Sequence, residues 1–206
     1  MNLRRFQKRE YKLILDLYTE GTKTEFLYIK NFIMQNNKWQ DIHPIHQYAE
    51  SDPELLVKSA IKYIKNTNWN KEVPHQIWVV FDHDEHEEKV NRAIHLINMY
   101  NKENPNKLIY LAFMKPCFEI WPLMHFITTK LPLHAKQVQS SLHSVLSDYN
   151  HNTQPIINVG KLPNDGYKKA LEKAKSWNIS LDDKQNPNSS TYFAGIYQLT
   201  EVIKNI

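Results

Sequence analysis

Three carboxylates stand where a folded chain could bring them to one cation. Asp82 and Asp84 lie two residues apart directly after an apolar run, Gln76 to Phe81, and Glu20 precedes Gly21 at the end of an earlier run, Lys12 to Tyr18. Two acids at i and i+2 on a strand exit can converge on one ion, and a third from a neighbouring strand can close the set. Oxygen donors without thiolate suit Mg²⁺ or Mn²⁺, which keep several waters and accept substrate phosphate. The chemistry of such a centre is phosphoryl transfer, in which the ion orients a phosphodiester and neutralises developing charge. The plainer alternatives are a polar strand end capping the next helix, for the aspartates, and a turn position, for Glu20.

Composition removes several other chemistries. The one cysteine, Cys117, forms no internal disulfide and rules out a thiolate-rich zinc site. It suits a reducing, cytoplasmic setting. His83 and His86 have no Cys or His pair at zinc spacing to complete a site. Four glycines are too few for a glycine-rich phosphate loop. No run approaches the roughly 20 apolar residues of a membrane span, and no signal sequence follows the basic start.

A net charge of +4 is modest, but its distribution is uneven. Arg4, Arg5, Lys8 and Arg9 open the chain, and Lys161, Lys168, Lys169, Lys173 and Lys175 form a second basic stretch. The acidic segment from Asp82 to Glu88 lies between them. Basic flanks around an acidic knot fit a polyanion held against bound cations, although charge runs are more often solvated faces. The five tryptophans and Tyr110 could stack bases, with burial the commoner fate of such rings.

The elements that must position these groups alternate. Lys12 to Tyr18, Ile42 to Tyr48, Gln76 to Phe81 and Lys107 to Phe113 read as strands. Helical stripes separate them: Phe26, Ile29 and Ile33, then Leu56, Ala60, Tyr63 and Ile64, then Val90, Ala93, Ile94 and Ile97. Asp52-Pro53 is a strong helix start, and Thr22 to Glu25 resembles a capping box, which accounts for Glu25. This β-α-β-α-β-α-β order predicts an α/β core, approximately residues 10–115, with a mainly parallel sheet of four strands between helices. A helical extension over 116–206 is expected to pack alongside, within one domain: Phe118 to Ile127, Ala135 to Tyr149, Tyr167 to Trp177 and Thr191 to Ile203. In open α/β sheets ligands bind beyond the carboxyl ends of the strands, which is where Glu20, Asp82 and Asp84 fall.

Further candidates surround that edge. Lys23 follows the Glu20 turn near a helix start, where anions bind readily. Glu119, between Phe118 and Ile120-Trp121, reads as a half-buried acid for a second metal or proton transfer, or as a hydrogen-bonded structural group. His125 lies about 120° from Glu119 on an ideal helix, so the two share a pocket only if Pro122 restarts the helix.

A strand ending in Glu followed by one ending in Asp-x-Asp resembles the Toprim domain. Three segments sharpen the resemblance to the RloB family: EGTKTEFLYIKNF (Glu20 to Phe32), WVVFDHDEH (Trp78 to His86) and KPCFEIWPLMHF (Lys115 to Phe126). A fourth, NPNSSTYFAGIYQL (Asn186 to Leu199), is similar to the family's C-terminal Asn-Pro-Ser-Thr element. The resemblance implies a Toprim-like endonuclease of bacterial antiphage defence, acting by abortive infection on RNA, tRNA included, or on DNA. It also implies a partner ATPase of ABC or SMC type, and leaves room for a homo-oligomer. On this pattern Glu20, Asp82 and Asp84 hold the metal and Glu119 joins them in catalysis. Lys23, Lys115 and His125 are expected on the substrate side. Pro122 and Met114-Lys115 depart from the family's usual residues.

Two rival functions remain. Phe81-Asp82-His83-Asp84 could open a haloacid-dehalogenase-like phosphatase, whose first aspartate is a nucleophile. That motif wants Thr or Val where this chain has His86. The other rival is a non-catalytic scaffold that binds nucleic acid and an ATPase.

Overall fold

The computed structural model describes residues 12–21, 23–42, 46–49, 52–68, 73–83, 87–127, 129, 131–179, 187–189 and 192–206. Strands form from the apolar runs: β1 (Ile14–Thr19), β2 (His46–Ala49), β3 (His75–Asp82) and β4 (Ile109–Lys115). Between them lie α1 (Thr24–Gln35), α2 (Pro53–Asn66) and α3 (Glu87–Glu103). A short fifth strand, β5 (Phe193–Ala194), joins them, and the sheet order is β2-β1-β3-β4-β5, with the first four strands parallel. Burial on both faces is what a parallel sheet demands, and β1 and β3 meet it with nearly continuous apolar sequence.

Alternation along the strands divides the core. Leu15, Leu17, Trp78, Val80, Ala112 and Met114 face one layer, while Tyr18, Ile77, Val79, Phe81 and Phe113 face the other, with α2 and α3. The first layer belongs to α1 and to the helical half: α4 (Ile120–Met124), α5 (Ala135–Val145), α6 (Gly166–Ile179) and α7 (Ile196–Asn205). The expected α/β core and packed helical half are both present.

Local chemistry explains several boundaries. Asp52 caps α2 by accepting from Glu54 N and Leu55 N, with Pro53 in the first turn, as the sequence implies. At α1 the N-cap residue is Lys23, without a side-chain cap bond, and Thr22 of the expected capping box lies outside the described residues. Glu25 turns back over Gly21 instead. The stretch Thr191 to Ile203 is not one helix. It contains β5, antiparallel to β4, and α7 begins only at Ile196. Gly195 allows this, because its α-carbon lies so close to β4 that a β-carbon would come within 3.1 Å of Phe113 N and O. The helix expected from Phe118 to Ile127 shrinks to α4, five residues long.

Gly166 is a second close approach. A β-carbon there would stand 2.5 Å from the carbonyl oxygen of His125, which is backbone and has little room to yield. Gly166→Ala is expected to lower stability by about 1–3 kcal/mol, read as a lower urea midpoint with an unchanged slope.

Candidate active site

Glu20 and Asp82 end up side by side because β1 and β3 are adjacent and parallel. Thr19 pairs with Val80, and the Glu20 N–H donates to the Val80 carbonyl at 3.1 Å. Both acids therefore leave the sheet at its carboxyl edge. Asp82 is fixed from a third direction: the turn after β4 brings in the Phe118 N–H, which donates to Asp82 Oδ2 at 3.1 Å. The Lys115 to Phe126 segment thus supplies a backbone donor to Asp82 as well as an acid of its own.

That acid, Glu119, is buried among donors. Tyr149 donates its hydroxyl proton to Glu119 Oε1 at 2.5 Å, and His151 Nδ1 lies 3.0 Å from the same oxygen. Burial pushes the Glu119 carboxyl up, but hydrogen bonds from His151, Tyr149, its own backbone N–H and Cys117 hold it below the ordinary range. Glu119 is a carboxylate kept charged by its neighbours.

The other acids are pushed the opposite way. Burial, then the charges of Glu20, Glu25 and Glu119, raise Asp82 well above an ordinary aspartate, against the Phe118 N–H. Glu25 is raised to about 7, chiefly by burial, with Glu119 adding to the rise and its own backbone N–H and His151 opposing it. Four carboxylates, Glu20, Glu25, Asp82 and Glu119, therefore feel one another across a partly buried space. Such crowding favours a counter-cation or a proton.

Asp84 lies outside the described residues, as do Glu85 and His86. Among the described residues, no three acidic, histidine or cysteine side chains stand at metal-ligand spacing. The donor set is oxygen-rich, as Mg²⁺ prefers.

Sequence reasoning misses Glu25, Tyr149 and His151. Capping accounts for Glu25 on local pattern alone, and its place five residues after Glu20 is the available signal. Tyr149 and His151 lie 30 and 32 residues beyond Glu119, and no local pattern announces them.

The residues expected on the substrate side scatter. Lys23 is exposed at the start of α1. Lys115 donates from Nζ to the Asn188 carbonyl at 2.6 Å and lies 3.3 Å from Asn188 Oδ1. Asn188 is buried and donates onward to Asn91 Oδ1 at 3.1 Å. Asn188 thus ties the end of β4 to α3, and burial holds the Lys115 ammonium below its ordinary pKa, against Glu87.

His125 sits in the aromatic core with its ring against Trp121 and Tyr167. Its Nδ1 bonds the Trp121 carbonyl at 3.0 Å, so that nitrogen carries the proton of a neutral imidazole. Among the described residues its hydrogen-bond partner, the Trp121 carbonyl, differs from those of Glu119 (Tyr149 and His151).

Burial lowers His125 from 6.5 to about 4, the Trp121 carbonyl opposing. As pH falls, the unfolded chain binds this proton first. Stability is thus full above about pH 6.5 and declines toward pH 4, by up to about 3 kcal/mol. His125→Phe is expected to flatten that limb in urea unfolding between pH 7 and 4; an unchanged limb would remove His125 as its source.

Three lysines of the second basic stretch have close acidic partners. Lys161 pairs with Asp148 at 2.9 Å, Lys169 with Asp165 at 2.5 Å and Lys175 with Glu201 at 2.5 Å. Lys173 lies over the Trp177 ring. The N-terminal arginines lie outside the described residues. Of the rings considered for stacking, Trp78 packs on Tyr110 and Trp177 on Tyr192, while Trp39 is 44% exposed.

A mainly parallel α/β sheet, with Glu20 and Asp82 at the carboxyl ends of neighbouring strands, defines the class. The chain belongs to the RloB-like protein family, whose model matches residues 16–203. No curated protein and no solved structure matches it significantly. Among the described residues, no helix is long and apolar enough to cross a membrane.

Proposed function

We propose that this protein is a Mg²⁺-dependent, Toprim-like endonuclease that cuts nucleic-acid phosphodiester bonds, RNA before DNA, in antiphage defence. The observation that carries the reading is the adjacency of Glu20 and Asp82 within a mutually repelling group of four carboxylates at the carboxyl edge of the sheet. Glu20, Asp82 and Asp84 hold the metal, with Mn²⁺ able to replace Mg²⁺. When bound, the ion supplies charge neutralisation to the scissile phosphate and to the oxygens entering and leaving it.

The chain's own groups do the rest. Asp82 is aimed by the Phe118 N–H, so its carboxylate is oriented before any ligand arrives. Glu20 moves a proton to or from the reacting oxygen. Glu119 is kept ionised by Tyr149 and His151, and so adds negative charge to the metal side of the site. Lys115, steered by Asn188, and Lys23 serve the phosphate side. His125 is left to the core.

The family resemblance supports a partner ATPase, with which the chain acts in the cytoplasm, and self-association is compatible with the reading. The test is cleavage of end-labelled RNA, tRNA and DNA with Mg²⁺ or Mn²⁺, with and without a candidate partner ATPase. Expected is metal-dependent cutting of at least one nucleic acid. Aryl-phosphate hydrolysis without such cutting would favour the phosphatase, and binding without cutting in any condition would favour the scaffold.

A further inference from the structure

Beside the acidic centre lies a polar cavity of about 700 Å³, lined by Lys136, Gln139, Ser140, His143, His151 and Asn152 among others. It touches the centre at two points. His151, one of its walls, bonds Glu119, and the carbonyl of Ala135, another wall, accepts a long contact from the Cys117 thiol at 3.9 Å. Among the described residues no acidic side chain lines the cavity. An acidic, cation-seeking centre therefore adjoins a hollow whose described walls are neutral to positive.

The wall chemistry is specific in kind. Lys136 offers a charge for phosphate, and Gln139 and Asn152 offer amides with both donors and acceptors. His143 is held by its Nδ1 to the Tyr149 carbonyl at 2.5 Å, which fixes the ring at the cavity wall. Ser140 spends its proton on the Lys136 carbonyl at 2.9 Å and keeps its oxygen lone pairs. Paired donors and acceptors read base edges, and the volume falls within the roughly 300–1,000 Å³ of small-ligand sites.

We infer that this cavity is a nucleotide subsite for a single strand, seating the nucleotide next to the phosphodiester that lies on the acidic centre. The inference rests on the proposed nuclease reading and gives it a substrate form. A single strand is chosen over a duplex because a hollow with amides on its walls accepts a splayed-out nucleotide, whereas paired bases hide the edges those amides would read. A phosphate from Lys136 toward the centre would continue the strand past His151.

The test uses the full chain carrying Asp82→Asn, so that binding is measured without cutting. The probes are a fluorescein-labelled RNA of about 12 nucleotides, within the usual single-strand site sizes, and the same strand annealed to its complement, followed by anisotropy. Adding Lys136→Gln with Asn152→Ala, both at exposed positions, is expected to weaken single-strand binding about tenfold. Duplex binding should change by less than about twofold, and the melting temperature should not move. Single-strand binding that is undetectable before these changes, or unchanged after them, overturns the subsite. So does equal loss for strand and duplex. The two readings fail separately. Wild-type cutting with unaltered strand binding in the cavity variants removes the subsite alone. Weakened strand binding in those variants, with no cutting by wild type under any metal, removes the nuclease alone.

Discussion

Asp82→Asn and Glu20→Gln should each lower cleavage by about 10²-fold or more while leaving the protein folded, and in the presence of a chelator each should be at least as stable as wild type. The two halves of this expectation share one cause. Burial and the carboxylates of Glu20, Glu25 and Glu119 hold Asp82 far above its ordinary pKa, and each unit of such a shift is worth about 1.4 kcal/mol. Removing the charge relieves that repulsion. In Asp82→Asn the introduced amide still offers an oxygen to the Phe118 N–H, so the turn after β4 keeps its anchor. What is lost is a ligand charge, and preorganised charge is typically worth about 10²–10³ in rate at such sites. Differential scanning measurements with and without Mg²⁺ or Mn²⁺ separate the effects: wild type should gain stability from the ion, and the variants much less. A chain of this size moves about 2–4 °C per kcal/mol, which is readily resolved. A variant that loses stability in chelator and also loses activity would mean that Asp82 is a structural acid.

The second large effect is on stability, and it falls at Trp121. This ring is completely buried, donates from Nε1 to the Tyr28 hydroxyl at 2.7 Å, and meets His125 and Tyr167 edge-on. It joins α1 to α4 and α6, hence the α/β layer to the helical half. Trp121→Ala removes the ring and leaves a cavity, at a cost of about 3–5 kcal/mol. Against a usual total of about 5–15 kcal/mol, that is enough to unfold much of the population at moderate temperature. Trp121→Phe is the discriminating variant. It keeps most of the packing but strands the buried Tyr28 hydroxyl, at about 1–3 kcal/mol. Urea unfolding measures both. Equal losses for the two would show that the hydrogen bond, rather than the ring, holds the halves together. Because Glu119 lies two residues before Trp121, the alanine variant should also loosen the acidic centre.

The legible parts of this chain are those written in local pattern. β3 reads from continuous apolar sequence, and α2 from Asp52-Pro53 and a helical stripe, because strand burial and capping are decided within a few residues. The adjacency of Glu20 and Asp82 follows from placing both at carboxyl ends of parallel strands. The capping pattern at Glu25 is a local inference that does not foresee its surroundings: the carboxylate faces Gly21 and feels Glu119. β5 is hidden because a two-residue strand has no periodicity, and its stability comes from pairing with Met114 and Lys115, far earlier in the chain. The same holds for Tyr149 and His151 on Glu119, and for Asn188 on Lys115. Hydrogen bonds between distant segments leave no spacing for a sequence to display.

The most direct measurement is cleavage of end-labelled RNA by wild type and Asp82→Asn side by side, each with Mg²⁺ and with excess chelator. Expected are cutting by wild type with Mg²⁺, no cutting by wild type in chelator, and a rate for Asp82→Asn about 10²-fold lower or beyond detection. Full activity in Asp82→Asn, or wild-type cutting that survives the chelator, would contradict the proposed metal-dependent cleavage.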